Sequence, residues 1–350
     1  MLKSMLCVAL VGVLCSVQAK GEGDAYFSIA EKAYQNKGYQ KAIEYFKKAA
    51  NMGDADAYNS LGVMYANGNG VQKDPQKALE YYKKAANMGS AEAHFNLGVV
   101  YNDGDGVAKD YQKALEYYQK AASMGDMNAY NSLGVMYANG EGVVKDYHKA
   151  IEYYKKAASM GDVKAYFNLA VMYNDGEGVA RDYQKALEYY KKAASMGDTK
   201  AYFNLGVMYD NGEGVAKDYQ KALEYYQKAA SMGNAAGYNN LGNLYENGEG
   251  VARDYHKAIE YYKKAAGMGN AAGYNNLGSM YYIGWGVAKD YQKAIECFKK
   301  AASMGSAKAY NNLGNLYENG EGVQKDPQKA LEYHKKACKL GFKDACHRIK

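Results

Sequence analysis

The sequence predicts an all-α protein, a right-handed superhelix of stacked helical hairpins, and three observations lead there. A Leu-Gly dipeptide falls at Leu61-Gly62, Leu97-Gly98, Leu133-Gly134, Leu205-Gly206, Leu241-Gly242, Leu277-Gly278 and Leu313-Gly314, with Leu169-Ala170 filling the gap, always 36 residues apart. Self-similarity at such a period marks an array of supersecondary units, each burying its apolar side only against its neighbours. Within each unit the apolar residues recur at helical spacing, and no stretch carries a strand signal. An aspartate heads the second helix of each unit, at Asp74, Asp110, Asp146, Asp182, Asp218, Asp254, Asp290 and Asp326. Its side chain accepts from the free N–H groups of a first turn. Both prolines, Pro75 and Pro327, follow such an aspartate, where a missing N–H costs nothing.

Along the chain, residues 1–19 come first. Lys3 precedes an apolar run from Met5 to Val17, and Val17-Gln18-Ala19 offers the short side chains that a signal peptidase reads. Cleavage is expected after Ala19, which makes the protein secreted or periplasmic. The run is short for a membrane span, and no later stretch approaches the length one needs. Residues 20–53 read as a first unit with Ala33-Tyr34-Gln35-Asn36-Lys37-Gly38-Tyr39 where later units carry a Gly-x-Gly-Val loop. Residues 54–341 hold eight 36-residue units, and 342–350 begin a C-terminal capping helix.

The unit from Asp198 to Gly233 shows the construction. Ala201, Tyr202, Leu205, Gly206 and Tyr209 fall on one stripe and make the first helix amphipathic. Asn211-Gly212-Glu213-Gly214 ends it, with glycines suited to the left-handed backbone of a helix terminus, and Val215 tucks the loop toward the core. Ala222, Leu223, Tyr226, Ala229 and Ala230 form the stripe of the second helix, where small residues let neighbours approach. Such an array is one elongated domain, expected to be a monomer. Its formal net charge of +6 is modest for 350 residues, and the basic residues recur evenly instead of clustering. Nucleic acid is therefore excluded as the expected partner.

The pattern Ala-Tyr-x-x-Leu-Gly-x-x-Tyr followed by Gly-x-Gly-Val-x-x-Asp-x-x-Lys-Ala-x-x-Tyr-Tyr-x-Lys-Ala-Ala-x-x-Gly resembles the Sel1-like repeat, a relative of the tetratricopeptide repeat, over residues 54 to 350. The first unit is closer to a plain tetratricopeptide repeat. The resemblance implies that the first helices line a concave face. Loss of residues 1–19 leaves Cys297, Cys338 and Cys346. In an oxidising compartment Cys338 and Cys346, eight positions apart across a helix turn, are placed to bridge. That pair, with the signal peptide, is similar to the secreted Helicobacter cysteine-rich proteins, although here only the last unit has one. Cys297 stands in the column of Tyr45, Tyr81 and Tyr117 and reads as a small buried apolar residue.

With the apolar stripe turned inward, Lys200, Asn204, Val207 and Asn211 face the opposite way. One column there reads Ser60, Asn96, Ser132, Asn168, Asn204, Asn240, Asn276, Asn312. Each amide offers a donor and an acceptor, so the ladder can hold an extended peptide by its backbone or can simply be a solvated column. Toward the C terminus, Asn243, Ser279 and Asn315 replace the valines of earlier units. Together with Asn239, Asn275 and Asn311 they are expected to form a denser amide surface and the main ligand site. Trp285, beside Ile283, is either an exposed contact residue or a lid over an adjacent helix end. The loops Asn102-Asp103-Gly104-Asp105-Gly106 and Asn174-Asp175-Gly176-Glu177-Gly178 lack full calcium-ligand spacing and read as helix caps. No metal or cofactor is expected.

The cysteine-rich relatives have carried a beta-lactamase label. Ser-x-x-Lys, Ser-Asp-Asn and Lys-Thr-Gly are all missing from the chain, and His94, His148, His256, His334 and His347 are scattered. No enzyme is expected. The reading is an adaptor that binds a peptide, a protein segment or a cell-wall fragment. A beta-lactam-binding or weakly hydrolysing protein is the alternative, implied by resemblance alone.

Overall fold

The computed structural model describes residues 21–349, and the expected signal segment lies outside them. Among the described residues there is no strand. After a helix over 21–35, second helices Tyr39–Asn51, Pro75–Asn87, Tyr111–Ser123, Tyr147–Ser159, Tyr183–Ser195, Tyr219–Ser231, Tyr255–Gly267, Tyr291–Ser303 and Pro327–Lys339 alternate with first helices. The first helices are Ala55–Asn67, Ala91–Asp103, Met127–Asn139, Val163–Asp175, Thr199–Asn211, Ala235–Asn247, Ala271–Ile283 and Ala307–Asn319, and a short helix Lys343–His347 follows the last hairpin. This is the all-α array of hairpins that the 36-residue period predicts. The chain divides into two compact units: one runs through Leu169 and takes in Glu177–Val179, and the other comprises Ala170–Gly176 and the residues from Ala180 onward.

In the first unit Leu61, Met64, Leu97, Leu133 and Met136 are buried with the rings of Tyr82 and Tyr118. In the second, Leu205, Met208, Leu241 and Leu313 lie buried, as do the rings of Tyr226, Tyr262 and Phe298. The stripe read from the sequence omitted the column of Met64, Met136 and Met208. These residues sit three places after the repeat leucine, which a period of 3.6 returns to the same face.

The repeat glycine makes room for the second-helix ring. A Cβ on Gly206 would lie 2.5 Å from the ring of Tyr226, and the same holds for Gly98 against Tyr118 and Gly134 against Tyr154. Removing one methyl group per unit thus lets two helices close on an aromatic side chain.

The caps follow the sequence. Asp218 accepts from the Lys221 N–H at 3.0 Å, and the equivalent aspartates do the same from Asp74 to Asp326. The backbone N–H of each of these aspartates also reaches the carbonyl of the first-helix tyrosine nine residues back, as Asp218 does to Tyr209 at 2.9 Å. That bond closes the Gly-x-Gly-Val loop. Gly104 caps its helix in the left-handed region, with its N–H on the Val100 carbonyl, so the calcium-like loops act as helix terminators.

The second glycine of each loop couples neighbouring units. Gly214 has φ +70°, and a Cβ there would stand 2.7 Å from the backbone of Tyr183 at the start of the preceding second helix. Gln112 donates to the Gly142 carbonyl at 2.6 Å, Gln76 to Gly106 at 2.5 Å and Gln292 to Gly322 at 2.6 Å. This glutamine column, in which His148 and His256 also occur, is a tie between repeats.

Gly233 has φ +90° but open space around it. Gly233→Ala should cost about 1 kcal/mol of unfolding free energy through backbone strain. Gly214→Ala should cost about 1–3 kcal/mol more, because it also overpacks a contact between repeats. Urea unfolding of the two variants checks the order.

Candidate functional site

The first-helix face is built around the asparagine ladder, and the rungs fall into two kinds. Asn96 donates through Nδ2 to Asn59 Oδ1 at 2.9 Å, Asn168 to Asn131 at 3.0 Å, Asn276 to Asn239 at 3.0 Å and Asn312 to Asn275 at 3.0 Å. In each case the partner lies in the preceding repeat, 37 residues earlier, and is buried. These rungs tie first helix to first helix.

The other rungs, Ser60 apart, follow a phenylalanine. Ser132, Asn204 and Asn240 come 37 residues after Phe95, Phe167 and Phe203, side chains that offer no acceptor. There the rung interacts with a buried tyrosine instead: Ser132 with Tyr118, Asn204 with Tyr190 and Asn240 with Tyr226, each partly offsetting the upward push of burial on the phenol. Burial pushes all three phenols well above their ordinary value, so they stay neutral.

This arrangement corrects the expected C-terminal amide surface. Asn239, Asn275 and Asn311 are buried and do not line an open face. Asn243 Oδ1 lies 2.8 Å from the Tyr262 hydroxyl and accepts from Asn276 at 3.2 Å. Asn275 donates to Asn276 Oδ1 at 3.3 Å, and Asn239 to Asn240 Oδ1 at 3.3 Å. The denser amides are mutually bonded, which removes donors and acceptors from the surface instead of adding them. In the last repeat Asn311 Oδ1 and Asn315 Oδ1 are buried without a hydrogen-bond partner. His334 holds the column of Tyr262 there, and its Nε2 lies 3.6 Å from Glu318, whose carboxylate also accepts from Arg348 at 2.9 Å. Burial lowers the His334 pKa and favours the neutral ring.

A column missed at the sequence level runs Ala66, Asn102, Ala138, Asn174, Asp210, Glu246, Tyr282, Glu318. Asp210 accepts from the Tyr226 hydroxyl at 3.1 Å, and the Tyr262 hydroxyl donates to Glu246. Tyr282 donates to Glu321 at 2.8 Å. The signal for this column was the change from small or amide residues to carboxylates along the chain.

Trp285 stacks on Tyr255, with ring centroids 5.0 Å apart, yet remains 40% exposed. It covers the first residue of Tyr255–Gly267 as a lid would, and its outer face is still open. Ile283 is exposed and lines a cleft of about 90 Å³ with Ser279, Tyr282, Phe298, Asn312 and Asn315. Cys338 and Cys346 form a disulfide with Cα atoms 4.8 Å apart, pinning the terminal helix to the last hairpin. Cys297 is only partly buried, less enclosed than the sequence suggested, and burial raises its thiol pKa. It interrupts the column of second-helix tyrosines that stack on first-helix tyrosines, as Tyr225 does on Tyr209 at 5.5 Å. Among the described residues no group of His, Cys, Asp and Glu side chains is arranged to hold a metal ion, and no helix is long and apolar enough to cross a membrane.

Hairpins of fixed length, glycine-gated rings and loop-to-helix ties define a helical repeat protein of the solenoid class. The Sel1 repeat profile matches residues 33–54, 55–90, 91–126, 128–162, 163–198, 199–234, 235–270, 271–306 and 307–342, and the chain belongs to the Sel1 repeat family. It is similar to c5321, a protective antigen of uropathogenic Escherichia coli strains displaying an SLR fold, at 32% identity and a TM-score of 0.68 over 95% of this chain and 81% of that one. A Sel1 repeat protein from Oxalobacter formigenes is 36% identical, with a TM-score of 0.65 over 71% of this chain and 99% of that one. A stretch of 53 residues is 42% identical to a Helicobacter pylori protein named putative beta-lactamase HcpE. It spans 15% of this chain and 15% of that protein.

Burial holds the Asp210 carboxyl above its ordinary value, and its bond from Tyr226 offsets this in part. A raised carboxylate pKa contributes stability that is fully present below the unfolded value and is lost as pH rises through the folded one. Asp210→Asn keeps an acceptor for Tyr226 and matches Asn102 and Asn174 in the same column. It should therefore raise the urea midpoint at pH 7, with the gain shrinking toward pH 3.

Proposed function

We propose that this protein is an extracytoplasmic adaptor whose first-helix face, the concave face of the repeat, binds an extended peptide, a segment of a partner protein or a cell-wall fragment. The observation that carries the reading is the division of the ladder. Asn96, Asn168, Asn276 and Asn312 are held by bonds to the preceding repeat, so they fix the spacing of the face. Asn204 and Asn240 donate to no amide of the preceding repeat; Asn240 Oδ1 accepts from Asn239, and its Nδ2, like the Asn204 amide, keeps hydrogen-bonding capacity for a ligand. A rigid array of this kind pre-organises many weak polar contacts, and little ordering cost falls on the protein when a ligand docks. Val171 and Val207, in the same compact unit as Asn204 and Asn240, supply apolar contact for the ligand's side chains.

The Cys338–Cys346 disulfide supports a site of action outside the reducing cytoplasm, as does the apolar segment that precedes Lys20. Beta-lactam binding rests on the name of a relative matched over a short stretch, and no arrangement of side chains described above favours it.

Crosslinking capture from cell-envelope and culture fractions tests the reading with two variants. Asn204→Ala with Asn240→Ala should reduce capture of the bound partner at least about tenfold while leaving the thermal melt within a few degrees, as loss of two interface hydrogen bonds to a ligand implies. Asn276→Ala should lower the melting temperature. Equal capture by the double variant and the unchanged chain would remove the ladder from the binding face. Nitrocefin turnover by the pure protein would favour the beta-lactam reading instead.

A further inference from the structure

Thirteen of the fourteen described methionines fall into two sets, and Met127, 37% exposed, stands outside both. Met64, Met136, Met172, Met208 and Met280 are buried in the core, none more than 4% exposed. Met52, Met88, Met124, Met160, Met196, Met232, Met268 and Met304 form a second column at the 36-residue period, each 38–47% exposed. Leu340 holds the ninth place of that column and is 50% exposed. Each column residue caps a second helix, and it does so with its backbone alone, as Met232 does through its N–H on carbonyls of the last turn. The cap asks nothing of the side chain. The glycines that follow seven of them, Gly53, Gly89, Gly125, Gly161, Gly197, Gly233 and Gly305, have no atom within 4 Å of where a Cβ would stand. The exposure of the column leaves its thioethers open to an oxidant from solvent, whereas the core methionines are enclosed.

We propose that this column is a modification site, a row of thioethers that consumes hypohalous acid or peroxide before the core is reached. With hydrogen peroxide the methionine sulfur attacks an oxygen, so that a sulfur–oxygen bond forms and the oxygen–oxygen bond breaks. With hypochlorous acid it attacks the chlorine, breaking the oxygen–chlorine bond, and water then displaces chloride from the chlorosulfonium to form the sulfur–oxygen bond. Sulfur loses two electrons to give the sulfoxide, and the oxidant leaves as chloride and a proton or as water. The sulfoxide is polar and reducible. On an exposed helix end it is tolerated, and in the core it would break the packing of the repeat.

The test uses the full chain and a variant in which the eight column methionines are replaced by leucine, a residue that the ninth repeat already carries at this position. Both are titrated with hypochlorous acid and read by peptide mass mapping and helical circular dichroism. The unchanged chain should take up oxygen first at the eight column positions and at the exposed Met127, with the five core methionines unmodified and the helical signal retained. The leucine variant should start with an unchanged helical signal but lose it at an oxidant dose at least about twofold lower. Equal resistance of the two proteins, or oxidation of core and column methionines together, would overturn the proposal.

Discussion

An aromatic ring lies where a Cβ would otherwise be. In unit after unit the second-helix ring packs on the glycine of the first helix, and the rest of the hairpin is arranged around that contact. It sets the closeness of the two helices, and closeness determines which other side chains are buried. Leu61, Met64 and their equivalents fill the space beneath the ring. Leu169-Ala170 shows the constraint from the other side: Ala170 is buried and Tyr190 remains buried with it, so one methyl group is accommodated where the sequence departs from the pattern. Such helices are 13 residues long, a length at which packing and not propensity supplies the stability.

A solenoid must also fix each unit on the next, and three kinds of contact do this. The loop glycine admits the backbone of the preceding second helix, the glutamine column bonds across to that loop, and half of the asparagine ladder bonds back to a buried amide. Polar groups buried in this way are costly unless paired, and the pairing is specific to one register. The ladder is therefore first a spacing device. The ligand contact proposed for it falls on the rungs where phenylalanine stands in place of the inner asparagine.

Fold was legible in the sequence because period, caps and glycines all agreed on one hairpin. The aspartate caps, the left-handed glycines and the Cys338–Cys346 bridge could be placed from spacing alone. The site was less legible. Asn239, Asn275 and Asn311 looked like surface because polarity was taken as exposure, whereas a buried amide can be satisfied by another amide one repeat away. The informative signal was the alternation of Asn59, Phe95, Asn131, Phe167, Phe203, Asn239, Asn275 and Asn311 in the column before the ladder. It could be interpreted only once the offset of 37 residues between partners was known. Met64, Met136 and Met208 escaped for a simpler reason, that attention to the repeat leucine and tyrosine left the position between them unassigned.

The central claim is that Asn96-type rungs are coupled to a buried amide on the preceding first helix and Asn240-type rungs are not. A double-mutant cycle measures it directly, with Asn59→Ala and Asn96→Ala on one side and Phe203→Ala and Asn240→Ala as the comparison, each followed by urea unfolding. The account predicts a coupling energy of about 0.5–3 kcal/mol for the amide pair and additivity within about 0.5 kcal/mol for the phenylalanine pair. Additive effects at Asn59 and Asn96 would contradict it and would make the ladder a solvated column with no part in the stacking of repeats.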